Sequence, residues 1–270
     1  MFVMNSIGQN ICLLISIAFF VIGGGISLSR LRWEKSWSRI AAKACLYFGV
    51  SFAIAVLIWH SISRRNWLLL DDNFAALVWL AVVLVFFVLY VQRRKPLGGL
   101  DWFIMPIVVL LLIGAAATGL ANPSTYNVHG LVSWMHLLTS YGGAAAFAVA
   151  AAAGTMYLIA NYRLRHKVAL AGPNLGSLER LEHLTLSAVT LGFALLTIGA
   201  VTGFMKMKFE HRSAPAAKVI LSLGVWIVYA LVLHSPINPS FRGRRAAVLS
   251  IIGFVLMIGT IVAVVLMPSG

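Results

Sequence analysis

The chain has 270 residues, of which 61% are apolar and only 10% are charged, and its mean hydropathy is +0.94. A soluble domain carries about 25% charged residues, so this composition excludes a soluble globular protein and predicts that most of the surface meets lipid. The formal net charge of +14 does not indicate a nucleic-acid partner, because Lys and Arg lie in short clusters between apolar runs, as in membrane proteins.

Eight apolar stretches follow one another along the chain, and we interpret each as one membrane-spanning helix. At about 1.5 Å per residue, about 20 residues cross a hydrocarbon core that is about 30 Å thick. The stretches are Ile11–Leu28, Ala42–His60, Asn73–Val91, Phe103–Leu120, Val132–Ala160, Leu184–Phe204, Val219–Leu233 and Ala246–Met267. The sequence therefore predicts an all-α integral membrane protein, a bundle of about eight transmembrane helices that forms a single polytopic domain over residues 1–270.

The basic residues between these stretches predict the orientation. The loops after helices 1, 3, 5 and 7 carry fifteen of them: Arg30, Arg32, Lys35, Arg39, Lys43, Arg93, Arg94, Lys95, Arg163, Arg165, Lys167, Arg180, Arg242, Arg244 and Arg245. The opposite side carries six: Arg64, Arg65, Lys206, Lys208, Arg212 and Lys218. The excess indicates the cytoplasmic side, so we expect both termini outside, in a multi-pass protein of a bacterial-type cytoplasmic (inner) membrane.

Helix 5 contains a segment, Gly142 to Gly154, that is made almost wholly of Gly and Ala. Small residues allow a neighbouring helix, or a flat cofactor, to approach the backbone closely. We interpret the segment chiefly as a surface for close helix packing.

The seven acidic residues lie in loops or at helix ends. They are Glu34, Asp71, Asp72, Asp101, Glu179, Glu182 and Glu210. A proton relay or an ion-coupled transporter uses ionisable groups at membrane depth, and the sequence offers no pair of carboxylates there. It also contains no catalytic triad and no phosphate-binding glycine loop, so we expect that the protein is not itself an enzyme.

Histidine gives the strongest indication of a site. Four of the seven histidines fall at the outer side: His60, His129, His136 and His211. His129 and His136 are seven residues apart and so share one helix face. Neutral imidazole is an axial ligand of haem iron, and helical bundles hold such cofactors between facing helices. The alternative is that these are ordinary hydrogen-bonded residues at the membrane interface.

Several segments from Ser140 onward carry a family resemblance through their order and spacing. They are Ser140-Tyr141-Gly142, Leu178-Glu179-Arg180-Leu181-Glu182, Gly192-Phe193, Leu196-Thr197, Gly199, Gly203, Trp226-Ile227-Val228-Tyr229-Ala230, Leu233-His234, Arg242-Gly243-Arg244-Arg245-Ala246 and Ile251-Ile252-Gly253-Phe254. They resemble the cytochrome c assembly family of haem-handling membrane proteins, the CcsA/HemX type, most strongly over residues 140–254. In the amino-terminal half, His60, Asn73-Phe74 and Ala76-Leu77 are similar to the region between the family's helices 2 and 3.

The resemblance implies haem binding or presentation at the outer face, in cytochrome maturation or haem homeostasis. Haem-delivering members carry a tryptophan-rich segment ending in Trp-Asp before helix 7, whereas residues 204–225 contain neither Trp nor Asp. The closest likeness is therefore to the HemX-type branch, which lacks this WWD motif. His234 matches the family's histidine at the end of helix 7, which is similar to a ligand of a membrane-embedded haem whose companion ligand comes from a partner protein.

From these observations we expect a haem-binding or haem-handling accessory protein with a membrane-protein partner or a larger cytochrome-related complex. The expected cofactor is haem b, its iron held at the outer side by His136 or His129 with His60 or His211 opposite. Any haem at His234 would be a separate, inner one, because the two faces of the core are about 30 Å apart. The alternatives are a cofactor-free structural subunit of a larger complex and a cytochrome b-like electron-transfer subunit.

Overall fold

The structure is a computed structural model, and it describes residues 2–29, 36–64, 72–94, 99–120, 130–166, 177–209, 215–234 and 243–266. Each of these ranges contains one helix. The helices are α1 Phe2–Ser29, α2 Ser36–Arg64, α3 Asn73–Arg94, α4 Leu100–Leu120, α5 Leu131–Arg165, α6 Leu178–Phe209, α7 Ala216–Leu233 and α8 Arg244–Leu266. All eight are long and apolar enough to cross a membrane, so the predicted all-α membrane protein with eight spans is confirmed.

Helices α5 and α6 extend beyond the spans predicted for them, Val132–Ala160 and Leu184–Phe204, by 6 and 11 residues. They have 35 and 32 residues, whereas about 20 cross the hydrocarbon core. Both carry two basic residues in the last turn. Cations at this position interact favourably with the helix dipole, and this interaction stabilises the turns that extend beyond the apolar part of each helix. Helix α7 begins at Ala216, directly after Pro215, which caps the helix with extended backbone (φ −53°, ψ 135°).

The helices form two compact units, α1–α4 and α5–α8. In the first unit α1 contacts α2 and α4, and α3 contacts the same two helices. Gly49 of α2 makes one of these approaches possible, since a Cβ added there would lie 2.8 Å from the ring of Phe20 in α1. The hydroxyl of Ser16 donates to the Gly49 carbonyl over 2.9 Å at the same crossing. The expectation of a single membrane domain stays a prediction.

In the second unit α5 is packed against α6 and α8 along its small-residue segment. A Cβ added to Gly154 would lie 2.9 Å from the carbonyl oxygen of Ala247 in α8, and one added to Gly192 of α6 would lie 2.6 Å from the ring of Phe147. Ala150, between these two contacts along α5, is fully buried. The segment is therefore a helix-packing surface, as predicted.

One aromatic pair ties three helices of this unit together. The rings of Phe147 in α5 and Tyr229 in α7 stack with centroids 3.6 Å apart and planes at 6°. The Tyr229 hydroxyl donates to the carbonyl of Ser250 in α8 over 3.2 Å. Because this buried hydroxyl has its acceptor, the large side chain fills the core without an unmet hydrogen bond.

The orientation predicted from the basic residues stays a prediction, and it has a direct test. Alkaline phosphatase fused after Gly270 should be active, because both termini are expected outside the cytoplasm. The same reporter fused after Arg94, in a loop expected inside, serves as the control and should be inactive. If the fusion after Gly270 is inactive and the fusion after Arg94 is active, the orientation is the opposite of the one predicted.

Candidate functional site

Four polar side chains meet in the first unit, where α2 ends and α3 begins. Nε2 of His60 lies 2.8 Å from Oδ2 of Asp72, and the Arg64 guanidinium lies 3.0 Å from the same oxygen. Nε2 of Gln9 in α1 lies 3.2 Å from Nδ1 of His60. His60 is 9% exposed and Asp72 is 1% exposed. The cluster therefore joins α1, α2 and the start of α3 in largely buried surroundings.

Asp72 also caps α3. Its Oδ1 accepts a hydrogen bond from the N–H of Ala75 over 2.7 Å, as an N-terminal capping carboxylate does. Burial would by itself raise the pKa of this carboxyl, but the hydrogen bonds from His60 and from the Ala75 N–H, together with the charge of Arg64, hold that pKa below its ordinary value of 3.8. Asp72 is therefore an anion at neutral pH.

Both ring nitrogens of His60 are already occupied. A carboxylate oxygen can only accept, so Nε2 carries the proton that it donates to Asp72, and Nδ1 accepts from the Gln9 amide. Phe74 packs against the ring at a centroid distance of 4.9 Å. Ligation of iron by His60 would require the loss of one of these two hydrogen bonds.

His136 in the second unit has a different arrangement. Its Nδ1 lies 2.8 Å from the carbonyl oxygen of Gly199 in α6, and since a carbonyl only accepts, Nδ1 carries the proton. Nε2 therefore carries the lone pair, and it has no hydrogen-bond partner among the residues that the structure describes. A Cβ added to Gly203 would lie 2.8 Å from Cε1 of the ring, so the glycine makes room for the imidazole against α6.

This geometry suits a metal ligand. Histidines that bind metals usually donate their other ring N–H to a carboxylate or a backbone carbonyl, which fixes the ring and its tautomer. The hydrogen bond from His136 Nδ1 to the Gly199 carbonyl fixes the ring and its tautomer in this way, with the proton on Nδ1 and the lone pair on Nε2. A single imidazole nitrogen can bind a metal that brings its other ligands with it, as haem iron does.

The other predicted histidines are placed as follows. His234 ends α7, where its backbone N–H donates to the carbonyl of Ala230 over 3.2 Å, and its side chain is exposed. His129 and His211 lie outside the described residues. His60 belongs to the first unit and His136 to the second, and each makes the contacts described above within its own unit. The predicted pairing of outer histidines on one iron stays a prediction.

Sequence reasoning placed Asp72 at a helix end and gave it no role, and it counted Arg64 only as an outer charge. The structure pairs Asp72 with both His60 and Arg64. The signal that could have found the pair is Asp72 directly before the Asn73-Phe74 start of an apolar stretch, a position typical of a capping residue. A carboxylate at such a position, eight residues after an arginine, in a chain with only seven acids, is a candidate for an ion pair.

Comparison with known proteins gives matches over most of the chain. The family model described as "Cytochrome C assembly protein" matches residues 67–268, which confirms the resemblance predicted from the sequence. Inner membrane protein YpjD of Escherichia coli (strain K12) is 24% identical over 253 residues, which cover 91% of this chain and 92% of that protein. Cytochrome c biogenesis protein CcsA of Cyanophora paradoxa is 25% identical over 219 residues, which cover 74% of this chain and 68% of that protein.

A solved structure, cytochrome c heme lyase CcmF, is similar in fold with a TM-score of 0.66. The similarity covers 95% of this chain and 46% of that chain, at 12% sequence identity. The chain therefore spans about half the length of that structure. At this identity the similarity concerns the fold alone.

Proposed function

Because this chain belongs to the cytochrome c assembly protein family, we propose that it is a haem-handling accessory protein of the inner membrane and that His136 binds the haem iron through Nε2. The observation that carries the proposal is the hydrogen bond of 2.8 Å from His136 Nδ1 to the Gly199 carbonyl. It leaves Nε2 as the lone-pair donor in a fixed direction. The inner membrane is also the location given in the name of the Escherichia coli relative.

The proposed cofactor is haem b, which would supply an iron centre able to change its oxidation state. His136 would hold the iron through Nε2, and its bond to Gly199 fixes the ring and makes Nε2 a better electron donor. Gly203 keeps the α6 backbone close to the ring. In this proposal the protein binds and orients haem. Any reaction that attaches haem to a cytochrome is carried out by a membrane-protein partner.

His60 has a different role in this proposal. Its ring nitrogens hold α1 and α3 together through Gln9 and Asp72, so we assign it to the support of the first unit. A second haem at His234 stays a separate hypothesis, with its companion ligand from the partner. Because residues 204–225 contain neither Trp nor Asp, our proposal assigns the protein to the HemX-type branch, with haem binding or homeostasis rather than haem delivery as its function.

The test is the absorption spectrum of the purified protein. The wild type should show a reduced b-type spectrum with a Soret band, and His136→Ala should lose most of it because the substitution removes the proposed iron ligand. His183→Ala is the matched control, since His183 is exposed in the first turns of α6, and it should keep the wild-type spectrum.

Three further variants complete the series: His60→Ala, His129→Ala and His234→Ala. We expect His60→Ala to keep the Soret band with reduced thermal stability. A wild type without any haem signal would contradict the proposal and favour the cofactor-free structural subunit. If a redox-active spectrum is kept in His136→Ala but is lost in His60→Ala or in His129→Ala, then the histidine replaced in the variant without the spectrum is the iron ligand instead of His136.

A further inference from the structure

Two buried polar residues join α1 to α4 at one end of the first unit. The hydroxyl of Ser27, in the last turn of α1, donates to Oδ2 of Asp101, in the first turn of α4, over 2.8 Å. Ser27 is 2% exposed and Asp101 is 4% exposed. Asp101 makes no ion pair with any residue that the structure describes. Since a carboxylate can accept about four hydrogen bonds, this one can bind further donors and a counter-ion.

Two further polar atoms at this end are buried, and neither has a hydrogen-bond partner in the described part of the chain. They are Nε1 of Trp102, which can only donate, and Oε1 of Gln92, which can only accept. Trp102 directly follows Asp101 in α4 and is 9% exposed. Because an unpaired buried polar group is costly, the two atoms indicate a bound group that both accepts and donates.

The packing of α3 against α4 places Gln92 at the level of Asp101. A Cβ added to Gly119 of α4 would lie 3.1 Å from the ring of Phe74 in α3, so these two residues are level with each other. Counting the same number of residues along the two antiparallel helices from this contact leads to Gln92 in α3 and Asp101 in α4. The carboxylate, the amide oxygen and the indole N–H therefore lie at one end of the unit, where α1 and α3 end and α4 begins.

We propose that Ser27, Gln92, Asp101 and Trp102 bind the headgroup of an ethanolamine phospholipid, with its ammonium on Asp101 and Gln92 and its phosphate on Trp102. A primary ammonium has three N–H donors and is the counter-ion that a buried carboxylate requires. The phosphate supplies the acceptor for the indole. A water molecule could bond Gln92 and Trp102, but it would bring no positive charge to Asp101. The inference is independent of haem binding.

The surroundings favour a lipid over a soluble molecule with the same polar group. Leu28, next to Ser27, is 52% exposed, and Tyr90, two residues before Gln92, is 61% exposed. Exposed side chains on membrane-spanning helices meet lipid, and tyrosine is typical of the headgroup level. Arg93, beside Gln92, is exposed, and its guanidinium suits a phosphate. Acyl chains can therefore pack against the helices while the headgroup reaches the polar side chains at their ends.

The experiment measures lipid binding to the purified protein in lipid-free detergent by native mass spectrometry. Dioleoyl phosphatidylethanolamine, phosphatidylcholine and phosphatidylglycerol are titrated separately, so that only the headgroup differs. The choline group keeps the positive charge but has no N–H donor, and the glycerol group has no cation. We expect the wild type to bind the ethanolamine lipid about tenfold more tightly than either of the others, as a hydrogen bond to a charged group provides.

Three variants assign the preference to particular atoms. Asp101→Asn should bind the ethanolamine lipid with the affinity that the wild type has for the choline lipid, because asparagine can still accept from Ser27 but carries no charge. Trp102→Phe should bind all three lipids more weakly and keep their order, since it loses only the donor to the phosphate. Trp226→Phe is the matched control and should bind as the wild type does, because its indole N–H already donates to Thr197 over 3.2 Å.

Unchanged binding of the choline lipid by Asp101→Asn shows that this variant is folded, so a lost preference reports the missing charge. Equal affinities of the wild type for the three lipids overturn the inference without any variant. A preference that persists in Asp101→Asn, or that is lost equally in Trp226→Phe, overturns it as well. Soluble phosphoethanolamine at the same concentration as the lipid should leave the lipid bound, and displacement would overturn the assignment to a lipid. None of these outcomes bears on His136, which belongs to the second unit.

Discussion

Replacement of Asp72 by alanine should destabilise the protein by about 3 kcal/mol, because breaking a largely buried charge pair and removing a helix cap each have a large cost. The variant leaves His60 without the acceptor of its Nε2 proton and Arg64 without its ion pair. The Arg64 side chain is 26% exposed, so water can solvate its charge once the ion pair is lost. The expected destabilisation is therefore smaller than the sum of the costs of the broken ion pair and the lost helix cap.

Thermal unfolding in detergent, followed by tryptophan fluorescence, should show a fall in Tm of about 10 °C for Asp72→Ala. Asp72→Asn should fall less, since asparagine still caps a helix but carries no charge for Arg64. Glu179→Ala removes an exposed carboxylate from the first turn of α6 and should change Tm by only a few degrees. Equal effects of Asp72→Ala and Glu179→Ala would contradict a stabilising role for the cluster.

The same carboxylate predicts a dependence on pH. Its pKa is lower in the folded protein than the ordinary value of 3.8, so the folded state favours the charged form. The stability that Asp72 contributes is therefore fully present above pH 3.8 and is lost as the pH falls through the folded pKa. The difference in Tm between the wild type and Asp72→Asn should accordingly be constant near neutral pH and shrink in acid.

Replacement of Gly154 by leucine should have an equally large effect on the second unit. A Cβ at this position would lie 2.9 Å from the carbonyl oxygen of Ala247, and this neighbour is backbone, which cannot rotate away. Overpacking of a core costs about 1–3 kcal/mol, and more where the neighbour cannot move. We expect α5 and α8 to separate and the yield of folded protein to fall severalfold.

The matched control is Gly25→Leu in α1. Gly25 is exposed, and a Cβ added there meets nothing within 4 Å, so the same substitution should leave the yield and Tm close to wild type. Gly154→Ala should lie between the two, with a smaller loss. Wild-type stability in both Gly154 variants would show that the helices do not meet as closely at this point as the structure places them.

The eight helices could be predicted from the sequence because seven of the apolar stretches have 18 residues or more, close to the length that crosses the membrane. The seventh stretch, Val219–Leu233, is shorter, and the helix there begins three residues earlier, at Ala216. Helix ends were less predictable, as in α6, whose last turn with Lys206 continues past the apolar stretch that ended at Phe204. The packing surface of α5 was also predictable, because small residues allow close approach and Gly and Ala make up nearly all of one segment, Gly142–Gly154. These features depend on composition within a single stretch of chain.

The candidate site was predicted only in part. His136 could be named from its residue type and position, but its hydrogen bond to Gly199 joins residues 63 positions apart and depends on the rotation of α5 against α6. Periodicity within one helix does not fix that rotation. The His60 cluster was missed for a similar reason, since it requires the end of α2 and the start of α3 to turn Arg64 and Asp72 toward each other.

The ion pair of Asp72 has a consequence for dissecting the chain. The family match begins at residue 67, so Asp72 lies within it, while Gln9, His60 and Arg64 lie before it. A fragment cut at that boundary would retain the buried carboxylate and lose both of its side-chain partners, His60 and Arg64. The first two helices therefore supply the charged and hydrogen-bonding partners of the residue that begins the third. A chimera that takes these helices from a relative should keep His60, Arg64 and Asp72 together as one set.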